Sequence, residues 1–147
     1  MKRMILYGLI TLAALLVPMQ RQDIATLEPI QAVYLEREGT QMILRTDTDD
    51  QGAGESAEKA LNVMKYESAG IVYLDTAQFL LVSENALEDV AQMIPLLKGS
   101  VRVCRWDGEG DLTEAAAYLQ AHKIGCRLDQ WNMDVRLPKI PSLNPSK

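Results

Sequence analysis

The stretch from Met4 to Val17 (MILYGLITLAALLV) is uncharged and unbroken, and it decides how much of the chain is left to fold as a body. Lys2 and Arg3 precede it and Pro18 closes it. Its fourteen residues would make about 21 Å of helix, short of the ~30 Å hydrocarbon core of a bilayer. A basic start followed by a short apolar block is the order of an export signal. No small-x-small cleavage site precedes Asp23, so an uncleaved anchor fits the same residues. Residues 1–19 therefore read as a signal peptide or N-terminal membrane anchor. Either assignment places the remainder on the extracytoplasmic side, membrane-anchored or exported.

What remains is the size of one domain. The chain of 147 residues is 48% hydrophobic and 24% charged, a balance that supports a modest core without metal or disulfides. Lys and Arg number 15 against 20 Asp and Glu, a net charge of −5. An acidic surface repels phosphate backbones, so no nucleic-acid partner is expected.

Periodicity divides the body. Ile30–Glu36 and Thr40–Thr46 are β-rich runs joined through Arg37-Glu38-Gly39, a β-hairpin pattern. Asp47–Gly54 reads as a polar loop. Ala57, Ala60, Leu61 and Met64 then share one helical face. Ile71–Leu74 allows a short optional strand, and Gln78–Ser83 is bounded like a buried one. Asn85 and Glu88 have capping-box spacing ahead of a helix with Leu87, Val90, Ala91 and Ile94 inward, shortened by Pro95. Val101–Trp106 alternates as a strand. Asp111 caps a third helix bearing Leu112, Ala115, Ala116 and Leu119, with Gly125 beyond its end. The predicted order β-β-α-β-α-β-α implies an α/β (α+β) domain over residues 23–136, a mixed sheet with helices packed on it. Three of the six prolines fall in residues 137–147, which read as an extended or disordered tail.

Two ligand patterns overlap in one loop. Asp47, Asp49, Gln51, Gly52 and Glu58 match positions of a calcium-binding EF-hand loop, whose carboxylates wrap a hard cation while glycine permits the turn. Gln51 and Gly54 depart from that pattern and a strand precedes it, so a solvated acidic loop accounts for the same residues. Gly52-x-Gly54-x-x-Ala57, with Asp75 downstream, imitates a dinucleotide fingerprint. Yet Asp47-Thr48-Asp49-Asp50-Gln51 separates the first glycine from the strand before it, and those carboxylates would repel a pyrophosphate. No cofactor is therefore assigned, and no metal beyond the calcium alternative at Asp47, Asp49 and Glu58.

No catalytic residue is assigned either. The single histidine, His122, falls in the last turn of the third helix, where a cation suits the carbonyl end. Ser83 lacks a nucleophile elbow around it. Trp106 and Trp131 read as packing residues. Outside the cytoplasm Cys104 and Cys126 are a possible disulfide pair, or else one buried and one incidental thiol.

The order of elements resembles the N-terminal domain of the Ger(x)C family, the C subunit of spore germinant receptors. Arg21-Gln22-Asp23-Ile24 is similar to the end of that family's first motif, and Ile30–Thr46 to its hairpin. Gln51–Gly54 is similar to its Gly-rich loop, Glu58-Lys59-Ala60-Leu61 to its helix start, and Phe79–Glu84 to its strand and turn. The likeness covers roughly Asp23 to Lys123. Val17-Pro18-Met19-Gln20 stands where the family carries a lipobox cysteine, and Leu74-Asp75-Thr76-Ala77 replaces its approach to the strand. The resemblance implies a non-enzymatic, membrane-associated interaction module, with other membrane proteins of the receptor-subunit kind as partners, acting in sporulation or germination.

Overall fold

The computed structural model describes residues 29–142. The signal-or-anchor assignment at 1–19, the Arg21–Ile24 likeness and the last five residues lie outside them. Six strands form one mixed sheet: β1 Ala32–Glu38, β2 Gln41–Thr46, β3 Gln51–Gly54, β4 Phe79–Val82, β5 Arg102–Arg105 and β6 Cys126–Arg127. Helices α1 (Ala57–Glu67) and α2 (Val90–Met93, a single turn) and α3 (Leu112–His122) pack on it, so the fold is α+β as expected.

The strand order is β3-β2-β1-β4-β5-β6. β1, β4 and β5 run parallel in the middle, and the other pairings are antiparallel. All three parallel strands therefore start at one edge of the sheet, the starting edge, and end at the other, the finishing edge. β4 is buried at every position, because both of its faces are covered.

Side-chain alternation splits the core in two. Val33, Leu35, Leu44, Leu80, Val82 and Val103 meet α1 and α2 on one face. Ala32, Tyr34, Phe79, Leu81, Cys104 and Trp106 meet Ala115, Ala116 and Leu119 of α3 on the other.

Helix α1 forms where the sequence places it. Ser56 is its N-cap and accepts from the Lys59 N–H (3.3 Å), and Lys59 pairs with Glu55 one turn back (2.6 Å). The Lys59 ammonium holds the Glu55 carboxyl below its ordinary range. The helix lies almost on the backbone of β3. A Cβ on Gly52 would collide with the Ala60 carbonyl oxygen, and one on Gly54 would come within 2.7 Å of the Ala60 nitrogen.

Five readings are corrected. Asp47–Gly54 is not a loop throughout: Asp47–Asp50 is a tight turn with Asp49 left-handed (φ 65°), and Gln51–Gly54 is a strand. Glycines lower strand propensity, so the pairing with β2 and the weight of α1 had to override local preference. Ile71–Leu74 is not a strand; a short 3-10 turn occupies Leu74–Thr76. The expected second helix is a 3-10 segment over Glu84–Asp89 followed by one α turn, and Asn85 caps nothing. Its amide instead donates to the Arg37 carbonyl of β1 (3.1 Å), a contact no local pattern reveals. β6 was not expected at all.

The tail is the fifth. From Leu137 to Ile140 it is extended but docked: the Arg105 N–H donates to the Pro138 carbonyl and the Ile140 N–H to the Arg105 carbonyl, each 2.9 Å. Leu137 and Ile140 are buried. β6 and this segment in turn cover the outer edge of β5, which would otherwise present open hydrogen-bonding groups.

Gly52→Ala is expected to cost about 3 kcal/mol, because the added methyl meets helix backbone that cannot step aside. Gly39→Asn, at an open hairpin turn with φ of 60°, should cost under about 1 kcal/mol. Urea denaturation of the two variants checks this; equal stabilities would refute the close-contact account.

Candidate functional site

On the α3 face, the helix covers β4, β5 and part of β1 but leaves the β2 side open. Tyr34 of β1 sits at this boundary with its ring buried. Trp106 meets it edge-on (centroids 5.1 Å apart, planes at 77°), and the Arg45 guanidinium of β2 lies 5.8 Å from its centroid. Arg45 also pairs with Glu36 on the same face (3.2 Å). The loop between β5 and α3 closes over the phenol at Gly108: a Cβ there would come within 2.6 Å of Tyr34 Oη, and φ of 76° suits glycine. Between these parts lies a cavity of about 330 Å³, lined by Tyr34, Arg45, Asp49, Trp106, Gly110 and Asp111 among others.

The polar inventory around it is unusual. Tyr34 Oη, Arg45 Nε and Ser83 Oγ are buried without a hydrogen-bond partner among the described residues. Burial and the nearby Glu36 charge push the Tyr34 phenol up to about 12, against the opposing pull of Arg45 and the adjacent Ser83 hydroxyl. The phenol is therefore neutral near neutral pH, packed edge-on against Trp106. His122 lies at the far end of α3, stacked on Tyr118 (4.1 Å) with Nδ1 2.9 Å from the Tyr118 carbonyl oxygen. It is not brought to Ser83.

The loop residues of the sequence patterns are engaged elsewhere. The Gln31 and Ala32 N–H groups donate to Asp47 Oδ1 (3.0 and 3.2 Å), which pins the start of β1 to the β2–β3 turn. Glu58 lies in the first turn of α1. With Gln51–Gly54 drawn into the sheet, the EF-hand-like spacing does not become a wrapped loop. No group of three or more His, Cys, Asp or Glu suited to a metal occurs among the described residues. Gly52 and Gly54 serve helix packing rather than a pyrophosphate, and Asp75 lies in the 3-10 turn before β4.

Cys104 and Cys126 are free thiols and are not paired. Cys126 faces Val103 in the β5–β6 register, so it sits on the α1 face while Cys104 points to the α3 face. Strand alternation is the reason they diverge. Burial pushes the Cys104 thiol up to about 12.

Sequence reading passed over the ion pair between Arg37 at the end of β1 and the buried Asp89. It is bidentate (2.6 and 2.5 Å), and Gln92 joins Asp89 to the Ala57 N–H at the start of α1. Asp89 raises the Arg37 guanidinium further above its ordinary value. Nothing local signals a partner 52 residues away.

Comparison with family models, with curated proteins and with solved structures finds no match for this chain.

Asp47→Ala should lower stability by about 1–2 kcal/mol through loss of the backbone clasp, by the same amount in calcium and in chelator. A loss confined to calcium-containing buffer would overturn the assignment. At alkaline pH, the unfolded chain releases the Tyr34 proton near 10 while the folded chain keeps it to about 12, so stability falls as pH rises through that window. The Cys104 thiol adds a loss of the same sign, starting from about 9. Tyr34→Phe should change stability at pH 8 by less than about 1 kcal/mol and make the alkaline loss shallower. Urea midpoints at pH 8 and at pH 11, inside that window, test both statements.

Proposed function

We propose that the chain is a non-enzymatic interaction domain, exported or held at the outer side of a membrane by its N-terminal segment, that works by contact with other membrane proteins. What carries this reading is a set of large apolar side chains left exposed, while several charged groups are engaged within the fold. Asp47 and Asp111 are spent on backbone N–H groups. Arg37, Arg45 and Arg105 are paired with Asp89, Glu36 and Glu84. Beside the surface charges, large apolar and aromatic side chains stand exposed at Tyr66, Ile71, Tyr73, Ile94 and Met133. Such side chains gain by being covered rather than by moving protons. The likeness to the Ger(x)C amino-terminal domain supports the same class and points to a role in sporulation or germination, with receptor-like subunits as partners.

The test is fractionation of cells making the full chain with a carboxy-terminal epitope, followed by chemical crosslinking of intact cells. The expected result is a membrane or exported fraction, accessible to externally added protease, with crosslinks to membrane proteins. A freely dissolved cytosolic product that turns over a substrate would overturn the proposal.

A further inference from the structure

Three exposed apolar side chains gather at the edge from which the N-terminal segment departs. Gly54 touches Ala60 and Gly52 reaches Met64, so α1 runs antiparallel to β3 and ends at the starting edge of the parallel strands. Tyr66 lies in its last turn and is 91% exposed. The following loop returns to β4 along the same edge with Ile71 53% and Tyr73 49% exposed. That loop is tied to the first described residues: the Thr76 hydroxyl donates to the Ile30 carbonyl (2.9 Å), and the Gln78 N–H donates to the Gln31 carbonyl (2.8 Å). The chain thus enters the body beside Tyr66, Ile71 and Tyr73.

We infer that this edge is a bilayer-contact face, with Tyr66, Ile71 and Tyr73 seated at the lipid headgroup level. The inference rests on the membrane-associated reading above. Between Val17 and Pro29 stand the eleven residues Pro18–Glu28, which span at most about 40 Å when fully extended. A body tethered so closely holds its entry edge near the lipid, and the tether turns weak contacts into intramolecular ones. Tyrosine suits the site because its ring is apolar and its hydroxyl stays hydrated, the property that concentrates it at membrane interfaces. Charges on this edge are of both signs, with Lys65 and Lys98 beside Glu67, Asp75 and Asp49, so the contact depends on apolar insertion rather than on anionic lipid. It should therefore form on phosphatidylcholine and persist at high salt.

The experiment uses the full-length chain reconstituted with phosphatidylcholine vesicles brominated near the headgroup end of the acyl chains. Tyr66→Trp and Tyr73→Trp report on the edge. Met133→Trp, exposed at the opposite edge, is the reference, and the emission of Trp106 and Trp131 is subtracted using the unaltered chain. Flotation in the same samples reports membrane association independently. Expected is loss of most of the added emission at positions 66 and 73, little at 133, and no recovery in high salt. Flotation without quenching at 66 and 73 overturns the bilayer-contact face while leaving membrane association standing. Failure to float overturns both. Quenching at 133 equal to that at 66 shows no preferred face. Shielding of position 66 that grows with protein concentration without lipid assigns the edge to a second copy, and overturns the inference.

Discussion

The approach of α1 to β3 sets the geometry on which the rest of the α1 face depends. Gly52 and Gly54 remove the two side chains that would hold the helix away, and Ala57 and Ala60 keep its lower surface small. At that separation Leu61 and Met64 join the strand side chains Val33, Leu35 and Leu44 in one buried cluster. The same closeness puts the start of α1 where Gln92 can accept from the Ala57 N–H, and so joins the helix to the Arg37–Asp89 pair. A short strand with poor intrinsic propensity is therefore held by the helix that covers it, and the helix is held by the bareness of the strand.

The two faces of the sheet are finished differently, and this shapes what the surface offers. One face is closed by α1, α2 and the connecting loops. The other has one helix, so Tyr34, Trp106 and Arg45 mark the border between covered and open sheet, with Gly108 as the lid over the phenol. Burial there suppresses titration rather than tuning it toward neutral pH, as Tyr34 and Cys104 both show.

Much of the architecture was legible along the chain because it follows short-range rules. Hairpin, cap and helical-face patterns located β1, β2, α1, β4, β5 and α3, and Asp111 caps α3 by accepting from the Thr113 N–H as its sequence suggests. Three of the misreadings share one cause. Gln51–Gly54, Cys126–Arg127 and Leu137–Ile140 have little β character of their own and become extended through partners supplied from elsewhere in the fold. At the sites, the motif spacing around Asp47 misled because a carboxylate can cap backbone N–H groups as readily as it can ligate a cation, and spacing does not distinguish the two uses.

By itself, then, the amino-acid order determined the class of fold and the elements with strong local periodicity. Only the tertiary structure decided which face each side chain serves. It separated Cys104 from Cys126 across the sheet, turned a phosphate-like glycine pair into a helix seat, and brought Arg37 to Asp89. It also gathered Tyr66, Ile71 and Tyr73 beside the point of chain entry. The reason is physical: local preference acts over a turn or a strand pair, whereas burial, register and charge pairing are settled only when distant segments compete for the same space.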